Sequence, residues 1–286
     1  MPDGILIIDK PQGWTSMDIC AKLRGIFHEK RVGHAGTLDP MATGVLPVFI
    51  GRATRAVQFA ENGEKEYHAV LKLGLVTDTQ DTTGTVLAAK PVEVGTAELR
   101  AALAAFTGEI SQVPPMYSAL KVNGQKLYEL ARQGKSVERK ARTVMISALE
   151  LTEQLAPDEF SLRVVCSKGT YIRTLCHDIG QALGCGGCMA SLRRTMAAGF
   201  TIDGAVTLER AQAEGEALLL PLDAYFRAYP PFTVQNDAQE KRAYNGNPFR
   251  AANVSDGTYR VYDREGHFLS LAQAADGELR AVKNFF

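Results

Sequence analysis

The chain has 286 residues, 45% of them hydrophobic and 22% charged, with 32 basic side chains against 32 acidic ones. That length accommodates one large and one small domain, and the composition is that of an ordinary globular protein. Zero net charge excludes a uniformly basic nucleic-acid coat while allowing a local basic surface, and no apolar run is long enough for a membrane-spanning helix.

Residues 4–9 read as a short strand and 10–16 as a turn, where Thr15 or Ser16 caps a helix to about residue 27. Ile19, Leu23 and Ile26 share one face of that helix. An apolar strand follows at 45–50 and a short helix at about 54–61. Residues 65–73 alternate, with Tyr67, Ala69, Leu71 and Leu73 on one face of a half-buried strand. The turn at 77–84 leads to a strand at 85–89; its Asp78 and Asp81 read as backbone caps rather than metal ligands. A helix at about 96–106 ends at Gly108, and another is predicted at about 126–133. Strands at 143–151 and 160–167 precede a helix capped by Thr170 and running to residue 183. Ile172, Leu175, Ile179 and Leu183 form its core stripe, with Arg173 and His177 off it. A strand at 192–195 and a helix at 208–214 complete this part. Composition shifts near Tyr229-Pro230-Pro231, which sets the boundary between residues 1–228 and 229–286. The tail carries four short strand patterns and one helix ending at Gly246.

Three features carry chemistry. The stretch from Val32 to Pro47 holds three glycines and two prolines, so it reads as a rigid, shaped loop. Its centre holds a single carboxylate, Asp39, and no other Asp or Glu lies between His34 and Ile50. Residues 111–145 carry seven basic side chains against two acidic ones, a net charge of +5, with Tyr117 and Tyr128 interleaved. Such a segment suits phosphate contacts and base stacking. Cys185 and Cys188 form a C-x-x-C without a second pair or a His cluster, so they read as a glycine turn rather than a zinc site. The five scattered cysteines disfavour a disulfide framework, and the acidic start lacks a signal-peptide pattern; the expected location is the cytoplasm.

The run Gly33-His34-Ala35-Gly36-Thr37-Leu38-Asp39-Pro40, continued by Ala42-Thr43-Gly44-Val45-Leu46-Pro47, closely resembles the catalytic loop of the TruB family of pseudouridine synthases. Lys10-Pro11-x-Gly13-x-Thr15-Ser16, Pro114-Pro115-x-Tyr117-Ser118-Ala119-x-Lys121 and Gly169-Thr170-Tyr171-Ile172-Arg173 resemble further motifs of that family. The resemblance implies an α+β fold with a mostly antiparallel central sheet, flanking helices and a small β-rich, PUA-like RNA-binding tail. It implies isomerisation of a uridine in the TΨC stem-loop of tRNA, with no cofactor, no metal, no membrane and no obligatory protein partner. It makes Asp39 the nucleophile, Arg173 its ion-pair partner and Tyr67 the residue stacked on the flipped base. Tyr171 would line the pocket, Leu192 would pack on the base, and His34 would help wedge the RNA open. Lys10 and Lys121 join the substrate-binding set through their motifs. Two alternatives remain: a non-catalytic tRNA-binding or tRNA-folding protein, and a glycoside hydrolase, which needs a second carboxylate about 5–10 Å from the first.

Overall fold

The computed structural model describes residues 2–122 and 124–286. In chain order the elements are β1 (Gly4–Lys10), α1 (Ser16–Phe27), β2 (Val32–His34), β3 (Thr43–Ile50), α2 (Val57–Ala60), β4 (Lys65–Leu73), β5 (Leu75–Thr77), β6 (Val86–Ala89), α3 (Thr96–Ala104) and β7 (Gly108–Gln112). Then come β8 (Lys121–Val122), β9 (Gln125–Lys126), α4 (Leu127–Arg132), β10 (Arg142–Ala156), β11 (Glu159–Cys166), α5 (Ile172–Ala182), β12 (Gly187–Ala197), β13 (Phe200–Thr201) and α6 (Leu208–Glu214). The tail holds β14 (Pro231–Thr233), α7 (Asp237–Tyr244), β15 (Phe249–Arg250), β16 (Gly257–Tyr262), β17 (Phe268–Ala275) and β18 (Glu278–Asn284).

The central sheet runs β1-β3-β12-β4-β11-β10-β7, with β2 beside β3 and β13 beside β12. Its pairings are antiparallel except β12 with β3, where Arg193 faces Thr43 and Arg194 faces Gly44. A Cβ at Gly44 would collide with the Arg194 backbone, and Gly44 has φ +101°, so only glycine lets these strands meet. The α+β expectation holds. The tail forms its own sheet, β14-β16-β17-β18-β15, beyond the expected boundary. Among the described residues no helix is long and apolar enough to cross a membrane.

Three apolar clusters pin the main sheet. Leu71, Leu73 and Phe160 pack under α3 and α5. Leu6, Ile8 and Val48 pack under α1 and α6. Ile5, Ile7, Val45 and Phe49, on the opposite face of β1 and β3, pack against Phe226 and against Leu271 and Phe285 of the tail. Helix α1 starts as expected: Thr15 accepts from the Asp18 amide at 3.1 Å and donates its own amide to Asp18 at 2.9 Å, a reciprocal cap.

Several boundaries differ from the sequence reading. The segment at 54–61 is a 3₁₀ turn, Gly51–Ala56, followed by the single turn α2. Strand β12 begins at Gly187 rather than residue 192, so Cys188 lies in the sheet; Cys185 and Cys188 are both buried. Gly180 and Gly187 allow α5 to press on β12, since a Cβ at Gly180 would overlap the Gly187 backbone. Hairpin β10–β11 reaches further than its apolar alternation because backbone pairing continues through bulged, exposed residues. Residue 171, not Thr170, occupies the cap position of α5; Thr170 donates its hydroxyl back to the Ser167 carbonyl at 2.9 Å.

The two sheets share a core. The Phe226 ring lies 5.5 Å from Phe59 on one side and 5.5 Å from Phe285 and 5.9 Å from Phe268 on the other. Phe226→Ala is therefore expected to cost about 3–5 kcal/mol and to weaken both units in one transition. Denaturant unfolding followed by probes on each sheet checks this; two separated transitions with the first unit unaffected would contradict a shared core.

Candidate active site

The loop around Asp39 is held from below by the first motif. Ser16 Oγ donates to the Leu38 carbonyl at 3.2 Å and accepts from the Leu38 amide at 2.9 Å. The Lys10 ammonium is buried and donates to the carbonyls of Pro11 at 2.9 Å, Trp14 at 2.7 Å and Pro40 at 3.4 Å. Burial draws its pKa down to about 8, opposed by the nearby Asp39 charge. Lys10 thus ties two loops together and does not line the cavity above them.

Arg173, from the first turn of α5, approaches Asp39 from the other side. Its Nε lies 2.8 Å from Asp39 Oδ2. Its Nη1 donates to the Thr79 carbonyl at 2.9 Å and its Nη2 to the Tyr117 carbonyl at 2.7 Å. Asp81 Oδ2 lies 3.5 Å from Nη1, and Asp81 Oδ1 accepts from the Thr83 amide at 3.0 Å and the Thr79 hydroxyl at 2.8 Å. Asp81 is therefore both the turn cap expected from sequence and a second carboxylate on Arg173. Arg173 is off the apolar stripe yet only 5% exposed, because the turn after β5 and the segment before β8 close over it.

A cavity of about 400 Å³ opens above this pair, lined among others by Asp39, Tyr67, Tyr171, Arg173, Leu192 and Arg194. Five of these are residues that the sequence nominated. Tyr67 is 6% exposed, and burial raises its phenol pKa, with the Arg194 charge acting in the opposite direction. Tyr171 is clamped by Gln112, whose side-chain amide accepts from the Tyr171 amide at 2.8 Å and donates to its carbonyl at 3.1 Å. His34 lies in β2, outside the lining, with Nδ1 lacking a hydrogen-bond partner and its pKa down to about 4 through burial and the Arg194 charge. Lys121 is exposed at the start of the β8–β9 hairpin; the cavity touches the preceding Ala119 and Leu120 instead.

Sequence reasoning missed Arg194, Gln112 and Lys65. Arg194 carried a usable signal: period-two alternation from Leu192 puts it on the same face of β12, beside Tyr67. Gln112 had none, since its partner is 59 residues away. Among the described residues the one cluster with metal-ligand spacing is Asp263, Glu265 and His267 in the tail. There Asp263 is occupied by the Tyr244 hydroxyl at 2.8 Å and the amides of Glu265 at 3.0 Å and His267 at 2.7 Å, the pattern of a turn cap.

Residues 24–172 match the family model of the TruB family pseudouridylate synthase N-terminal domain, and residues 173–227 match that of the tRNA pseudouridylate synthase B C-terminal domain. The tRNA pseudouridine synthase B of Ralstonia pickettii is 50% identical over 84% of this chain and 77% of its own length. The protein of that name from Clostridium kluyveri is 42% identical over 99% of both chains. Among solved structures, a chain of a Cbf5-Nop10-Gar1 complex superposes with TM-score 0.73 at 24% identity, covering 99% of this chain and 85% of that one, which speaks to the fold. A chain of the archaeal box H/ACA sRNP Nop10-Cbf5 complex superposes at TM-score 0.70 and 25% identity, covering 99% and 86%. With both halves of the synthase matched and full-length relatives far above 30% identity, the chain belongs to the TruB family of pseudouridylate synthases.

Proposed function

We propose that the protein isomerises a uridine in the TΨC stem-loop of tRNA to pseudouridine, with Asp39 as nucleophile. The observation that carries this is the Asp39–Arg173 ion pair at the floor of a cavity walled by Tyr67 and Leu192. The reaction needs the base out of its stack and inside a pocket. The uridine N1–C1′ bond breaks and its electron pair leaves with the ring, while the Asp39 carboxylate takes up C1′. The ring turns, C5 attacks C1′ and the carboxylate is released. The C5 hydrogen leaves as a proton and N1 gains one, so no redox step occurs.

Each residue supports one part. Arg173 aims the carboxylate; its other donors rest on backbone carbonyls, so it does not swing away with the substrate. Tyr67 and Leu192 offer flat and apolar surfaces to the base, and Tyr171, fixed by Gln112, closes the wall. His34 serves as a neutral wedge beside the loop. The insertion between β7 and β10 carries the basic segment. Within it the Tyr128 ring lies under Lys126 at 5.4 Å and Arg132 at 5.3 Å, a cationic and aromatic surface suited to the RNA strand.

Asp39→Asn is expected to fold, to bind tRNA and to form no pseudouridine. Arg173→Lys keeps a charge but loses the planar fork that holds Asp39 and two backbone carbonyls at once, and single-turnover rates are expected to fall roughly 10²–10⁴-fold with affinity within about tenfold. Pseudouridine formed by Asp39→Asn at a comparable rate removes the nucleophile assignment; unchanged RNA with the parent protein points to a binding protein, and a base-free sugar to a hydrolase.

Reversing Lys121 and Lys126 to Glu is expected to weaken tRNA binding and to flatten its salt dependence. Equal affinity at several salt concentrations would take this hairpin out of the interface.

His34 gives a pH test. Its imidazole titrates near 4 when folded against 6.5 in the free side chain, so the unfolded chain takes up the proton first. Stability should fall as pH drops from about 6.5 toward 4, and His34→Gln should flatten that stretch. Denaturant midpoints at neutral and mildly acidic pH decide it; identical slopes in the two proteins would show that His34 is not the group responsible.

A further inference from the structure

Two cations in the cavity wall have no anionic partner. Arg194 is 0% exposed and Lys65 is 7% exposed, and among the described residues neither meets a carboxylate within 4.0 Å. Arg194 donates from Nε to the Val45 carbonyl at 2.7 Å and from Nη2 to the Gly36 carbonyl at 3.0 Å, while Nη1 has no partner. Lys65 Nζ donates to the carbonyls of Glu61 at 3.1 Å and Gly63 at 2.8 Å, leaving one N–H. The two converge under the catalytic loop. A Cβ on Gly36 would lie 3.3 Å from Lys65 Cε and 3.4 Å from Arg194 Nη1, at φ +83°. Both residues line the same cavity as Asp39, Tyr67 and Leu192. A buried cation without a counter-ion is costly and marks a place that an anion fills.

The chemistry proposed above supplies that anion. When N1–C1′ breaks, the negative charge of Asp39 passes to the ring, spread over N1, O2 and O4, as the carboxylate becomes covalently engaged. The charge thus moves away from Arg173, whose donors are already committed to Asp39 and to two carbonyls. We propose that Arg194 Nη1 and Lys65 Nζ form the subsite that holds the detached uracil as its anion while it turns from N1 to C5. The position favours the base over an RNA phosphate: the pair lines the cavity beside Tyr67 and Leu192, whereas the lining Lys168 is exposed, where a backbone phosphate could reach it. This inference rests on the isomerase reading.

The test compares uridine with 5-fluorouridine at the target position of a tRNA stem-loop, because fluorine makes the ring a better leaving group that needs less help; fluorine also replaces the C5 hydrogen that must leave as a proton, so the fluorinated ring stops once C5 is joined to C1′, and both substrates are read at cleavage of the N1–C1′ bond. In single-turnover assays with saturating enzyme, Lys65→Met should slow uridine rearrangement roughly a hundredfold and 5-fluorouridine far less, with stem-loop affinity within about twofold. Lys65→Arg, which keeps the charge, should recover most of the uridine rate. If Lys65→Met fails to fold, Lys65→Gln read against Lys65→Arg makes the same comparison. Equal slowing of both substrates, or an unchanged uridine rate, overturns the proposal. Weaker binding with a smaller salt slope and an unchanged substrate ratio overturns it as well and assigns the pair to a phosphate. The parent reading is scored separately, by whether the unaltered protein makes pseudouridine from the uridine stem-loop.

Discussion

The Arg173 guanidinium joins three elements that lie far apart in the chain. It ties the loop between β2 and β3 through Asp39, the turn after β5 through the Thr79 carbonyl and Asp81, and the root of the basic insertion through the Tyr117 carbonyl. A buried guanidinium with several fixed acceptors has one orientation, because leaving any of its donors unpaired in a dry site costs free energy. The order runs outward from there. The N-terminus of α5 must be fixed, which Gln112 does at Tyr171. The helix must also lie close against β12, which Gly180 and Gly187 allow.

On the opposite side of Asp39, Lys10 plays a quieter part. A buried lysine usually seeks a carboxylate, but this one spends its donors on the carbonyls of two loops. The Asp39 charge still acts on it, holding the Lys10 pKa up against the lowering by burial. Among the described residues, Arg173 alone of the nearby cations is in direct contact with the Asp39 carboxylate.

Much of this was legible in the sequence, for identifiable reasons. The glycine- and proline-rich loop and the lone Asp39 stood out because their constraints are local. So did the alternation that puts Tyr67 on the buried face of β4 and the cap at Thr15. What could not be read depends on contacts far apart in the chain. Periodicity placed Arg173 off the apolar stripe, and only its motif pointed to Asp39, because the groups that bury it come from two other segments. Cys188 looked like part of a turn because nothing near it announces pairing with Lys72. Lys121, taken from its motif as a substrate contact, lies on an exposed hairpin beside the cavity rather than in its wall.

The parallel pairing of β12 with β3 has a consequence for how the protein comes into being. It sets Arg193 opposite Thr43, 150 residues away, and Arg194 opposite Gly44, so two neighbouring strands of the sheet come from distant parts of the chain. Pairings of such long range pay their loop entropy first and form late. On a ribosome the loop with Asp39 emerges early, but the strand that completes its wall leaves the tunnel only after some two-thirds of the chain has been made. A partly synthesised chain therefore carries Asp39 with no finished pocket around it, and the cavity exists only once the sheet has closed.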